Sequence, residues 1–337
     1  MIYPKFIKKG DLIGVPAPSA GAGNQLYINK YNNAEKRLKE LGYNLSLSKN
    51  LYSDYMARSA SAKVRAKEIN EMFESQSIDL ILCAAGGEFL VECLPFVDFE
   101  KLSKSPKYVC GFSDPTGLLY TITSKYDIAT IYGQNYGSYG AIEIYDSEKD
   151  FLKAISGEKL NFNSYELYEE ESLEKVTGLE PSNLTEKVEW KVLNDKEVNV
   201  KGRIIGGCFD IISELAGTKY DGINRFNEKY KEDGIIWYFD NCEINMEEVI
   251  RTLWKFNELG YFKYTKAVIF GRFGVNNSNL GYDVKTCLED SVLNSFDIPV
   301  VYDADFSHKD PCMPVINGSI ASVCVKDGKG TILYELK

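Results

Sequence analysis

Short apolar runs closed by glycine or proline, each coupled to a segment of helical spacing, recur through the first half of the chain, and this alternation narrows its fold more than any other feature. DLIGVPAP (11–18) reads as a strand ended by proline and glycine signals, and 26–41 then carries helical spacing up to a stop at Gly42. A helical segment at 63–73 leads into the apolar run 78–85 and the pair Gly86-Gly87, and a further run, 108–111, opens into Ser-Asp-Pro-Thr and another helical stretch. Strand-then-helix units bury their apolar faces by forming a parallel sheet with helices packed on it. The expected class is therefore α/β.

From residue 202 a second block begins, in which GRIIGGCFDIISELAGT joins an apolar run, a glycine pair and helical spacing. Further strands are expected at 234–239, 267–271 and 298–302, with a helix at 246–259. Between the blocks, 145–200 is acidic, bears Tyr and Asn, and shows little periodicity, so it reads as linker and loops. The expected organisation is an N-terminal α/β domain over 1–160, a linker and substrate-loop region over 161–200, and a C-terminal domain over 201–337. The tail SIASVCVKDGKGTILYELK alternates apolar and polar residues around Asp-Gly-Lys-Gly, the pattern of a hairpin.

Composition removes several function classes. Hydrophobic residues at 44% and charged residues at 26% are those of a globular chain, not a disordered one. The charge is −10 with no basic block able to track a phosphate backbone, which argues against nucleic acid as the primary partner. No uncharged apolar run approaches the roughly 18–20 residues of a membrane span. The N-terminus meets charged residues before any apolar core of the signal-peptide kind, so a cytoplasmic location is expected. Eight cysteines without a CxxC pair read as free, mostly buried thiols, and a single histidine, His308, excludes a multi-histidine metal centre. Neither glycine pair fits G-x-G-x-x-G and no P-loop occurs, so no cofactor and no metal are expected.

A few residues remain that carry chemistry. Ser113, in GFSDPT, sits where a strand ends and a helix begins, a place that presents a hydroxyl beside helix N-terminal N–H groups; the same position equally suits a helix cap. Gly86 and Gly87 allow a ligand close to the backbone. His308, in a polar loop after a strand, is either a surface residue or the one general base available. Asp240 and Glu243, at the end of the run WYFDNCE, are acids able to orient an imidazole or to cap a helix.

Five stretches, in order, resemble the LD-carboxypeptidases, a serine peptidase family that includes the microcin C immunity proteins: KKGDLIGVPAPS, RAKEINEMFESQSIDLILCAAGGEF, KYVCGFSDPTGL, GRIIGGCFDIISELAGT and DADFSHKDPCMPVINGSIASV. The resemblance implies a flavodoxin- or Rossmann-like N-terminal domain bearing the nucleophile and a C-terminal α/β domain supplying acid and histidine, with the site in the cleft and the protein a homodimer. It implies a Ser-His-Glu triad in which Ser113 and His308 take two places. The third falls on Asp240, a departure from the family's Glu, with Glu243 as the competing residue. The backbone N–H groups of Gly87 and Asp114 would be the oxyanion donors, and Gly86 would line the substrate. Murein tetrapeptides that lose a terminal D-Ala are the substrates it implies first, and aminoacyl or peptidyl nucleotide analogues second. For the latter, Trp190 is the residue of the loop region positioned to stack on a base, unless it is simply a buried hydrophobe. The Asp at 240 also leaves open a member that binds ligand without full activity.

Overall fold

Strand pairing in the computed structural model, which describes residues 1–193 and 197–337, divides the chain between two sheets and one small ribbon. The first sheet contains β1 (Leu12–Val15), β2 (Asn44–Leu47), β3 (Leu80–Leu82), β4 (Tyr108–Gly111) and β5 (Thr130–Tyr132), parallel and in the order β2-β1-β3-β4-β5. That is the flavodoxin-like order, in which ligands gather outside the carboxyl ends of the strands. The accompanying helices are α1 (Gln25–Glu40), α2 (Ala62–Glu74), α3 (Phe99–Lys104) and α4 (Thr116–Tyr126), with α5 (Asp146–Ile155) leading out of the sheet.

The next short strands, β6 (Asn161–Asn163), β7 (Leu167–Tyr168), β8 (Glu186–Lys187) and β9 (Lys191–Val192), precede the long β10 (Val198–Cys208). Then come α6 (Phe209–Leu215), α7 (Ile223–Lys229), β11 (Ile235–Asp240), α8 (Met246–Glu258), β12 (Thr265–Gly271), α9 (Val284–Glu289) and β13 (Val300–Ala304). The chain ends with β14 (Val315–Asn317), β15 (Ile320–Lys326) and β16 (Lys329–Glu335), the last two forming the expected terminal hairpin. Strands β10 to β13 run parallel at the centre of the second sheet, whose full order is β6-β16-β15-β10-β11-β12-β13-β9.

Residues 161–200 are thus more than linker and loops. Strands β6 and β9 form opposite edges of the second sheet, and β7 pairs with β8; positions 194–196 lie outside the described residues. Strands of two or three residues leave too few positions for a period-2 pattern to register. The other departure is β14, which crosses back from the C-terminal half to pair antiparallel with β5. Asn317 in that strand accepts from the Gly206 N–H at 3.2 Å and donates to the Thr130 hydroxyl at 3.3 Å, tying the two sheets together.

Helix α4 explains why the sheets meet where they do. Residues 116–124 are all buried, with no polar face, because the helix packs against β5 and β4 on one side and β10, α6 and α7 on the other. Its first residue docks on the second sheet: the Thr116 hydroxyl accepts from the Cys208 N–H at 3.0 Å. Any Cβ on Gly207 would meet the Thr116 side chain at 2.7 Å, so that approach requires glycine. The strand ending in Asp240 is itself fixed by aromatic packing, with Trp237 stacked on Phe239 and on Tyr261 at centroid distances of 5.3 and 5.5 Å.

Candidate active site

The carboxyl end of β4 turns into α4 through Phe112, Ser113 and Asp114, and Ser113 has φ +68°. A non-glycine residue in this left-handed region costs energy and persists only where its surroundings enforce it. Here Asn135 grips the preceding residue from both sides, its Oδ1 accepting from the Phe112 N–H at 3.0 Å and its Nδ2 donating to the Phe112 carbonyl at 3.1 Å. The Ser113 N–H donates to the Tyr132 hydroxyl at 3.3 Å, and the Thr116 N–H to the Ser113 carbonyl at 2.8 Å. Ser113 is therefore no helix cap; the turn holds its hydroxyl outward.

That hydroxyl lies 2.8 Å from His308 Nε2, and His308 Nδ1 lies 2.9 Å from Asp240 Oδ1. Residues 113, 240 and 308, far apart in sequence, form one continuous hydrogen-bonded chain. Asp240 is fully buried, at 0% exposure, and its second oxygen accepts from the Tyr132 hydroxyl at 2.5 Å. With Nδ1–H donating to the carboxylate, Nε2 is left as the lone-pair acceptor for the serine proton. Burial pushes the imidazole pKa down, but the Asp240 charge and hydrogen bond outweigh it and hold His308 well above its ordinary value. The ring also rests on Phe112, centroids 4.5 Å apart.

Glu243 takes no part in this chain. It is exposed, and its N–H donates to Asp210 Oδ1 at 2.8 Å, while the same carboxylate accepts from the Cys242 and Ile244 N–H groups at 2.9 and 3.1 Å. The register of β10 and β11 sets Cys208 opposite Asp240, so the acid ends its strand facing the α4 dock.

Gly86 and Gly87 adjoin the serine after β3. A Cβ on Gly86 would fall 3.1 Å from Ser113 Oγ, and Gly87, at φ +145°, has no room for one against the Ser19 hydroxyl. The N–H groups of Gly87 and Asp114 donate to no other group among the described residues. The Asp114 side chain faces inward, accepting from the Ser19 hydroxyl and from the Leu90 N–H at 2.9 Å; burial raises its pKa to about 6 against those two bonds.

Trp190 departs from the expectation of a stacking surface. It is 2% exposed, its Nε1 donates to Asp305 Oδ2 at 3.0 Å, and its ring covers Gly330 and meets Phe306 edge-on at 5.8 Å. An edge strand places it there: the next residue, Lys191, pairs with Tyr302, so the indole turns into the core of the second sheet. It behaves as the buried hydrophobe of the alternative reading.

Three supports of the site escaped the sequence. Tyr132 and Asn135 stand at and just after the end of β5, where an apolar run closing on polar residues beside a glycine is the one available signal. Arg272 is buried, pairs with Asp305, and donates from Nη2 to the Lys309 and Pro311 carbonyls at 3.0 and 2.7 Å, clamping the loop that carries His308.

Comparison with known proteins agrees with this architecture. The family model described as the LD-carboxypeptidase N-terminal domain matches residues 13–133, and that described as the LD-carboxypeptidase C-terminal domain matches residues 201–323. A putative carboxypeptidase of Vibrio cholerae is 27% identical over 325 residues, covering 93% of this chain and 92% of that protein. The microcin C7 self-immunity protein of Escherichia coli is 26% identical, covering 90% of this chain and 88% of its own length. A solved apo structure of a microcin C7 self-immunity protein superposes with TM-score 0.83 at 23% identity, over 100% of this chain and 99% of that one. A probable murein peptide carboxypeptidase of Bacillus subtilis is 26% identical over 231 residues, covering 68% of this chain and 64% of that protein.

Proposed function

The chain belongs to the LD-carboxypeptidase family, and from that premise we propose that it is a serine carboxypeptidase which hydrolyses an L,D peptide bond to release the terminal D-Ala of cytoplasmic murein tetrapeptides, acting as a homodimer in cell-wall recycling. The observation that carries the proposal is the Ser113–His308–Asp240 chain, with links of 2.8 and 2.9 Å, built on a serine held at φ +68°.

In this reading His308 Nε2 accepts the Ser113 proton as Oγ attacks the substrate carbonyl carbon. The negative charge moves to the carbonyl oxygen, which accepts from the N–H groups of Gly87 and Asp114. Collapse of the tetrahedral adduct breaks the C–N bond, and His308 returns its proton to the departing D-Ala amine. Water then repeats the sequence on the acyl-serine, freeing the shortened peptide and restoring Ser113. Asp240 keeps the imidazole in the Nδ1–H form and balances the imidazolium charge, while the Tyr132 hydroxyl holds the second carboxylate oxygen. Asp in place of the family's Glu is one methylene shorter; the 2.9 Å contact supports its serving here in the same role.

A second reading, hydrolysis of aminoacyl or peptidyl nucleotide analogues, is favoured by the microcin relative's match along 90% of this chain against 68% for the murein relative. Incubation with a disaccharide tetrapeptide, followed by mass spectrometry for tripeptide and D-Ala, tests the first; an adenylate analogue in parallel tests the second. Turnover of neither leaves a ligand-binding protein.

A further inference from the structure

The two N–H groups that would hold the oxyanion come from different loops, Gly87 from the one after β3 and Asp114 from the turn between β4 and α4. Such donors work only when both lie about 2.7–3.1 Å from the place the charged oxygen will occupy, so the spacing of the two loops matters as much as the donors themselves. The Asp114 side chain, at 0% exposure, spans that gap. Its Oδ2 accepts from the Leu90 N–H, at the end of the Gly87 loop, at 2.9 Å, and from the hydroxyl of Ser19, in the loop after β1. Ser19 is in turn the group against which Gly87 rests, with no room there for a Cβ, and the Ala20 N–H donates to the Gly86 carbonyl at 3.3 Å. Arg65, also buried, ties the same two loops to each other by donating to the Pro18 and Phe89 carbonyls at 2.8 and 3.1 Å, but it does not reach the nucleophile turn. Among the described residues the two bonds of Asp114 are the only side-chain hydrogen bonds that join residues 112–115 to either loop. The other carboxyl oxygen, Oδ1, is buried without a partner. A buried acid with an unmet oxygen is costly, and merely filling space beside the nucleophile would not call for one.

We propose that Asp114 is a positioning residue whose side chain fixes the distance between its own N–H and that of Gly87, and so sets the width of the oxyanion hole. That side chain touches no reacting atom. Because both bonds fall on one oxygen, an amide can replace the carboxylate: the Asn carbonyl accepts from Ser19 and Leu90 alike. Ala keeps neither bond, and Ser19→Ala removes one of them from the opposite partner. The proposal rests on the hydrolase reading, in which an oxyanion forms as Ser113 attacks.

Reaction of the full chain with an alkyl fluorophosphonate reads the hole without assuming a peptide. Ser113 Oγ bonds to phosphorus, fluoride leaves, the serine proton passes to His308, and the charge developing on the phosphoryl oxygen draws on the same donors. Labelling is followed by mass spectrometry, with Ser113→Ala as the blank and thermal unfolding as the check on folded protein. Asp114→Ala and Ser19→Ala are expected to label about tenfold or more slower than the wild type, less than the loss of a whole donor would cost. Asp114→Asn should stay within about threefold of the wild type even where its buried NH2 lowers Tm. On a peptide substrate the loss should fall on kcat and leave KM within about twofold, because the oxyanion exists only along the reaction path. Should Asp114→Ala not fold, Ser19→Ala and Asp114→Asn decide. Labelling of folded Asp114→Ala or Ser19→Ala at the wild-type rate, a loss confined to KM, or an Asp114→Asn as slow as the alanine variants overturns the positioning role and leaves the hydrolase reading standing. A wild type that neither labels at Ser113 nor cleaves any peptide overturns the hydrolase reading, and the positioning role with it.

Discussion

Replacing Asp240 by Asn is the sharpest test of the site because nothing else there needs to move. The side chain is fully buried, accepts from His308 Nδ1 at 2.9 Å and from Tyr132 at 2.5 Å, and Asn has nearly the same shape. Its carbonyl oxygen can still serve one donor, but its NH2 then faces the other. Against His308 the NH2 demands a lone pair on Nδ1, which puts the proton on Nε2 and leaves no acceptor for Ser113. The same exchange in other Ser-His-Asp enzymes lowers kcat about 10⁴-fold, or about 5 kcal/mol of transition-state stabilisation. The pH profile gives a second readout. His308 must be neutral to act as base, so the rate rises with pH through its pKa, which Asp240 holds well above 6.5. Without that charge the pKa falls, and the acid limb of kcat/KM moves to lower pH in whatever activity remains. Steady-state hydrolysis from pH 5 to 9, with circular dichroism to verify folding, measures both. Residual activity above about a tenth, or an acid limb that stays put, would refute the assignment. So would a large loss in Glu243→Gln, which is expected to change the rate less than about twofold since that side chain is exposed.

Ser113→Ala should abolish turnover while leaving folding intact; more than about a tenth of the wild-type rate would count against a covalent serine. Tyr132→Phe removes the donor on the second Asp240 oxygen, which concentrates the carboxylate charge on His308, so the acid limb should move to higher pH, opposite to Asp240→Asn, with a lower kcat. Trp190→Ala should cost about 3–5 kcal/mol of stability, the usual range for emptying a buried indole site. Thermal unfolding reads that loss, and an unchanged Tm with a raised KM would return Trp190 to the substrate. EDTA should leave the rate unchanged, and restoration of a chelated sample by zinc would argue against the serine mechanism.

What the sequence disclosed follows from how far each signal travels along the chain. The strand-helix alternation and the turn at Ser113 are local, so β1, β3, β4 and that turn were legible from spacing, whereas β2 and β5 were not marked out. His308 was singled out by being the only histidine, and Asp240 by ending an apolar run. Neither fact says that the three meet; the family resemblance supplied that, through two of the five stretches for Ser113 and His308 and through the run WYFDNCE for Asp240. The short strands of 161–200 and β14 were missed because their existence depends on a partner strand far away, not on their own residues.

The residues that make the site rigid belong to this last kind. Asn135, Tyr132 and Arg272 look unremarkable in sequence, since each is one polar residue near a strand end. Their importance comes from the acceptors they find: a strained Phe112–Ser113 turn, a buried carboxylate, and the carbonyls of the His308 loop. A left-handed serine is unfavourable alone and is tolerated because Asn135 and Tyr132 hold the backbone leading into it and the Thr116 N–H holds its carbonyl. The geometry at Ser113 is therefore determined from the end of β5 and the residues just after it, Tyr132 lying 19 residues from Ser113 and Asn135 lying 23 from Phe112 along the chain, and β5 in turn is paired with β14 from the C-terminal half. The strand that completes the first sheet thus belongs to the same half of the chain as Asp240 and His308, which makes the register of the Ser113–His308–Asp240 chain a property of how the two sheets are joined and of neither sheet by itself.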